Sequence, residues 1–138
     1  MKGANDVNKS YENKPIFEFL VNNSSLTKRQ ILALLTYRKG MHLQSLDRKT
    51  RLLGEKVVRK GTYYRVLGQA KKNAIRSFFT MILLHHLNII DDASWSMMAE
   101  LSELLKTYGE STEISDEKVK KLMKDVILAF DKMLSIKE

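Results

Sequence analysis

The residues from 59 to 73 bring together, over a few helical turns, the side chains that contact nucleic acid. Arginine and glutamine can donate to and accept from base edges, tyrosine and threonine can reach phosphate or a thymine methyl group, and lysine neutralises phosphate. Within this stretch Tyr63, Val66, Leu67 and Ala70 are spaced as one apolar stripe of a helix. The polar side chains fall on the other side, so the spacing predicts a helix that packs through one face and presents the other to double-stranded DNA.

The start of this helix is predicted from three residues. Lys60 and Gly61 favour a turn, and Thr62 can act as the N-cap that accepts from the free backbone N–H groups. A basic amphipathic surface helix with no nucleic-acid partner has the same pattern, so the rest of the chain must decide between the two.

The positive charge of the chain is concentrated in one segment. The 138 residues carry a formal net charge of +8. Residues 26–76 hold fourteen Lys and Arg against Asp47 and Glu55, a balance of +12, whereas the remaining residues balance at −4. This asymmetry favours a polyanionic partner, with nucleic acid first and an anionic membrane surface second.

Two further helices are predicted before the basic one. Thr27 and Gln30 have capping-box spacing, and Gly40 suits the C′ position that ends the helix they begin. Ser45 is predicted to cap a second helix over residues 46–53, which Gly54 ends.

Several positions match a pattern of known DNA-binding domains. They are Leu26, Thr27, Arg29 and Gln30 in the first helix, Leu53 and Gly54 at the end of the second, Gly61 and Thr62 at the start of the third, and Ala70 and Lys71 after it. Residues 26–73 thereby resemble the sigma factor region four and LuxR-type helix-turn-helix family. The resemblance implies that the third helix enters the major groove while the first two contact phosphate, which places Thr62, Arg65, Gln69, Lys71 and also Arg29 near DNA.

The candidate DNA-binding residues combine those positions with the exposed faces predicted for the second and third helices. They are Arg29, Arg48, Lys49, Arg51, Lys56, Arg59, Lys60, Thr62, Tyr64, Arg65, Gln69, Lys71, Lys72 and Arg76.

The complete chain is predicted to be all-α. Residues 1–25 are expected to form a partly disordered arm, 26–90 a helix-turn-helix domain, and 91–138 a helical extension. The basic helix can continue without a break into the apolar stretch after residue 77. Residues 91–94 are predicted to cap a helix over residues 95–108, a polar loop is expected over 109–115, and Asp116 and Glu117 open a last helix with heptad-like apolar spacing. That last stripe serves either core packing or homodimerisation.

The sequence lacks the residues that other classes of function require. The chain has no cysteine, no nucleophile elbow, no glycine-rich phosphate loop and no paired carboxylates on an apolar face, so neither enzyme chemistry nor a cofactor is expected. His85 and His86 are adjacent and diverge by about 100° on a helix, which argues against a metal site. The N-terminus has no signal-peptide pattern and the apolar run is too short to span a bilayer, so a cytoplasmic protein with no membrane partner is expected.

The sequence therefore favours a dimeric, sequence-specific double-stranded DNA-binding protein that regulates transcription. Two alternatives stay open. One is a non-specific or partition-type nucleic-acid-binding protein, and the other is a helical adaptor that binds an acidic protein through the same basic face.

Overall fold

The computed structural model describes residues 15–45, 47–110 and 115–135, and most of them are helical. The helices are α1 (Pro15–Asn23), α2 (Lys28–Arg38), α3 (Lys60–His86), α4 (Asp92–Glu110) and α5 (Asp116–Met133), with a short 3-10 helix at Met41–Leu43. Two strands, β1 (Thr50–Leu53) and β2 (Lys56–Arg59), form an antiparallel hairpin. The chain divides into two compact units, residues 1–77 and 78–138. A mostly helical class is thus confirmed, whereas the all-α class predicted from the sequence did not include the hairpin. Residues 1–14 of the predicted arm lie outside the described part.

The prediction of a second helix over residues 46–53 is wrong. Residues 50–53 form β1, paired in register with β2 from Thr50 opposite Arg59 to Leu53 opposite Lys56, while residue 46 is outside the described part. Gly54 has a φ of 65°. It fills the first position of a two-residue hairpin loop, where a type II′ turn requires a positive φ. The helix-turn-helix order of three helices is therefore replaced by helix, hairpin, helix.

The core of the first unit lies between α2, the hairpin and the start of α3. Ala33, Leu53, Tyr63 and Val66 are buried together, with Leu32, Val58 and Leu67 packed around them. The Tyr63 hydroxyl donates to the Ala33 carbonyl at 2.9 Å. The predicted apolar stripe of α3 is confirmed, because Tyr63, Val66 and Ala70 are buried and Leu67 packs against the same cluster.

The beginning and end of α2 are confirmed. Thr27 Oγ1 accepts from the Gln30 amide and Gln30 Oε1 accepts from the Thr27 amide, both at 3.1 Å, which is a complete capping box. Gly40 follows the helix in the left-handed region at a φ of 71°. Gln30 Oε1 also accepts from Asn73 Nδ2 at 3.3 Å, so the N-terminal end of α2 is tied to α3.

The helix α3 begins earlier than predicted. β2 ends at Arg59 and α3 begins at Lys60, whose amide donates to the Lys49 carbonyl at 2.8 Å. Thr62 is therefore a half-buried residue of the first turn and not an N-cap. The continuation of the helix past Asn73 is confirmed, since α3 runs without interruption to His86.

The second unit contains the end of α3 with α4 and α5. Asp91 Oδ1 accepts from the Ser94 amide at 2.7 Å, so a cap within residues 91–94 is confirmed. The helix begins at Asp92, three residues before the predicted start at Trp95. The helix α4 continues to Glu110, past the expected start of the loop, and residues 111–114 lie outside the described part. Val119 and Val126 of α5 are buried. None of the described helices combines the length and the apolar composition needed to cross a membrane.

Candidate nucleic-acid interface

The first half of α3 carries two polar rows on its exposed side. Because Tyr63, Val66 and Ala70 face the core, the residues about half a turn away face solvent. The first row runs along one edge of this exposed side at the spacing i, i+4, i+7, i+11. Its members, all exposed, are Arg65, Gln69, Lys72 and Arg76.

Two charges of the first row, those of Arg65 and Lys72, are available to a ligand. In the described part of the chain, no carboxylate pairs with Arg65 or Lys72. Between these two charges lies Gln69, an exposed amide that can donate and accept at once. An arginine and a glutamine one turn apart are the side chains that read guanine and adenine edges in the major groove.

The second row lies along the other edge of the exposed side. Lys60, Tyr64 and Lys71 are exposed, and Gly61 and Gly68 lie between the rows. A Cβ atom added at either glycine would meet no heavy atom within 4 Å. The centre of this exposed side of α3 is therefore flat where the two glycines lie, and basic side chains lie along both of its edges.

Arg51 is held in place beside the second row. Its guanidinium lies 5.7 Å from the centre of the Tyr64 ring, and Nη1 donates to the carbonyls of Arg48 and Thr50 at 2.9 and 2.7 Å. The Tyr64 ring in turn packs edge-on against Tyr63 at 5.2 Å. These contacts hold the guanidinium beside the Tyr64 ring, and the residue as a whole is half-buried.

The other predicted site residues are spread over the first unit. Arg48 and Lys49 precede β1, Lys56 and Arg59 lie on β2, and all four are exposed. The exposed Arg29 lies at the opposite end of α2 from the hairpin. The structure brings most of the predicted bases onto α3 and the hairpin.

Two exposed bases in the described part of the first unit fall outside the predicted set. Arg38 is the last residue of α2, Lys39 follows it, and both are exposed. Both count toward the positive charge of residues 26–76. Neither is in the predicted set, because exposed faces were predicted only for the two later elements.

A buried histidine, His42, packs between two tyrosines of the first unit. The His42 ring lies 4.6 Å from that of Tyr37 and is stacked at 5.8 Å on that of Tyr63. Its Nδ1 atom is buried without a hydrogen-bond partner. Burial, together with the nearby charge of Arg51, lowers the pKa of His42 below 6.5, so the ring is neutral at pH 7. Burial likewise raises the pKa of Tyr63 and keeps its hydroxyl a donor.

No metal site is formed within the part of the chain that the structure describes, since nowhere in it do three His, Asp or Glu side chains come together. Comparison with known protein families, with curated proteins and with solved structures finds no match for this chain. The resemblance to the sigma factor region four and LuxR-type domains therefore rests on the matching sequence positions alone.

Proposed function

We propose that this protein binds double-stranded DNA through the exposed side of α3 in the first unit, together with the bases of the hairpin, and that it regulates transcription by reading specific sites. The observation that carries the proposal is the row Arg65, Gln69, Lys72 and Arg76, which is exposed along three turns of one helix. An α-helix fits the major groove of B-DNA, and a row of this composition supplies both base-reading and phosphate-contacting groups.

The hairpin adds phosphate contacts in this proposal. Lys56 and Arg59 are exposed on β2, and Arg59 directly precedes α3. Bases at this point reach the sugar–phosphate backbone beside the groove that α3 occupies. Contacts of that kind set the position of a protein on DNA and contribute affinity that depends on salt. The proposal therefore takes a helix with an adjacent two-stranded β-ribbon as the reading unit, in place of the three-helix arrangement expected from the sequence.

The experiment that tests the proposal is selection from a random double-stranded DNA pool across a salt series, with sequencing of the retained fraction. We expect a consensus site that is still bound near physiological salt. Binding that fades steeply with salt and enriches no site would favour the non-specific alternative. No binding even at low salt would overturn the proposal and favour an acidic protein partner.

Two substitutions separate base reading from phosphate contact. Gln69→Ala should reduce discrimination between the selected site and mismatched sites by about 1–3 kcal/mol, while Lys72→Ala should weaken binding to all sequences and lower the salt slope by about one. Lys121→Ala, at an exposed lysine of α5 in the second unit, is the matched control and should change neither quantity. Equal effects of Lys72→Ala and Lys121→Ala would show that binding follows total charge and not the α3 surface.

A further inference from the structure

The end of α3 in the second unit exposes an unusual amount of apolar surface. Phe78, Phe79, Ile82 and Leu83 are 64%, 69%, 59% and 55% exposed. We call these four side chains the 78–83 face. Single exposed apolar residues are common on protein surfaces, but four large ones on two consecutive turns form a contiguous patch, and such patches mark interaction sites.

The 78–83 face has no charge with which to select a charged partner. From Ser77 to Ile90 the sequence contains no Lys, Arg, Asp or Glu. Recognition by these four side chains must come from shape and apolar burial, and the nearest charge in the sequence is that of Arg76, two residues before Phe78. An acidic or a basic protein segment is therefore a poor fit to it.

We propose that the 78–83 face binds the same face of a second copy of this chain, with the two helices antiparallel about a two-fold axis. The spacing of the four residues is symmetric about the point between Thr80 and Met81. In an antiparallel pair Phe78 then lies opposite Leu83 of the second copy, and Phe79 lies opposite Ile82. Each aromatic ring meets an aliphatic side chain, so the face is complementary to itself, as a two-fold interface requires.

The exposed apolar area approaches that of a standard interface. The four side chains present roughly 470 Å² per copy, by the usual areas of aromatic and aliphatic side chains. Leu87 and Ile89, which follow α3, are also more than half exposed and bring the total to roughly 700 Å², against about 800 Å² per partner in a standard interface. Because Val119 and Val126 are already buried in the single chain, this interface differs from the one that the heptad-like stripe of α5 suggested.

The test measures self-association of the full chain without DNA, by sedimentation equilibrium over a range of protein concentrations, so its outcome is independent of the proposed DNA binding. We expect the unsubstituted protein to form a dimer. The double variant Phe79→Ser/Leu83→Ser should weaken the dimer at least tenfold. The matched control is Leu128→Ser, since Leu128 on α5 is 56% exposed, almost the same as Leu83, and this variant should stay within about twofold of the unsubstituted protein. Circular dichroism checks that each variant keeps its helices.

Three results would overturn the proposal. The first is an unsubstituted protein that stays monomeric at high concentration. If that protein bound vesicles of anionic lipid and the double variant did not, the 78–83 face would bind a lipid surface. The second is a dimer that the double variant leaves unchanged. The third is a loss of association in Leu128→Ser equal to that in the double variant, which would indicate non-specific association through the exposed apolar residues of the unit.

Discussion

The side chain of Thr36 joins α2 to the turn of the hairpin, because its Oγ1 accepts the backbone N–H of Gly54 at 3.0 Å. Both residues are buried, and the same hydroxyl donates to the Leu32 carbonyl one turn earlier in α2. The hairpin is therefore anchored at its turn as well as through Leu53 in the core. A single hydroxyl satisfies a buried amide that no water can reach.

Replacing Thr36 with valine should destabilise the first unit. Valine keeps the shape but leaves the Gly54 amide buried and unpaired, which costs about 1–3 kcal/mol. Thr36→Ser keeps the hydroxyl and should recover most of that loss. The measurement is the free energy of unfolding from urea titration, and a Thr36→Val protein as stable as the unsubstituted one would show that the amide finds another acceptor.

The free energy of unfolding should decrease as the pH decreases, through the contribution of His42. Its pKa in the folded protein lies below the ordinary 6.5, so the unfolded chain binds more protons once the pH drops under that value. The stabilisation is complete above about pH 7 and is lost progressively as the pH falls below 6.5. Urea midpoints measured at several values between pH 5 and 7.5 report it.

The comparison for His42 is the variant His42→Gln, which does not titrate. We expect its midpoint to depend less on pH than that of the unsubstituted protein. The contact of His85 with Asp92 at 2.8 Å is present in both proteins, so its contribution cancels in the difference. Identical pH profiles would mean that His42 titrates alike in the folded and unfolded states.

Gly68→Ala should stabilise the protein by about 0.5–1 kcal/mol. Gly68 lies inside α3, exposed and with open space where a Cβ would stand, so alanine removes the entropic cost of a helical glycine. Gly40→Ala is the contrast, because that glycine also has open space but adopts a φ of 71°, and the substitution should destabilise. Thermal and urea unfolding of both variants test the pair, and a loss of stability in Gly68→Ala would contradict the helical geometry at this position.

The elements that the sequence predicted well are those with a local physical signal. The reciprocal side-chain bonds of Thr27 and Gln30 need only four consecutive residues, and the cap at Asp91 is equally local. The buried stripe of α3 follows from 3.6-residue spacing, so Tyr63 and Ala70 were placed correctly without knowledge of their partners. The exposed row through Arg65 and Gln69 is the complement of that stripe.

The hairpin was missed because one residue type serves two structures. A glycine at positive φ ends helices and also forms type II′ hairpin loops, so Gly54 was taken for a helix end. The pair Val57 and Val58 was the available signal for a strand, since β-branched residues favour strands. This error also placed the start of α3 too late, at Thr62. Thr36 anchors the turn from eighteen residues away, and no local sequence pattern predicts such a long-range contact.

The direct passage from β2 into α3 has a consequence for the thermodynamics of the proposed DNA binding. β2 ends at Arg59 and α3 begins at Lys60 with no residue between them, and the Lys60 amide is bonded to the Lys49 carbonyl. The backbone at this junction thus belongs to hydrogen-bonded elements on both sides. We expect the entropy of ordering it to be lost on folding and not on binding, and a preformed surface of this kind keeps the entropic cost of complex formation low.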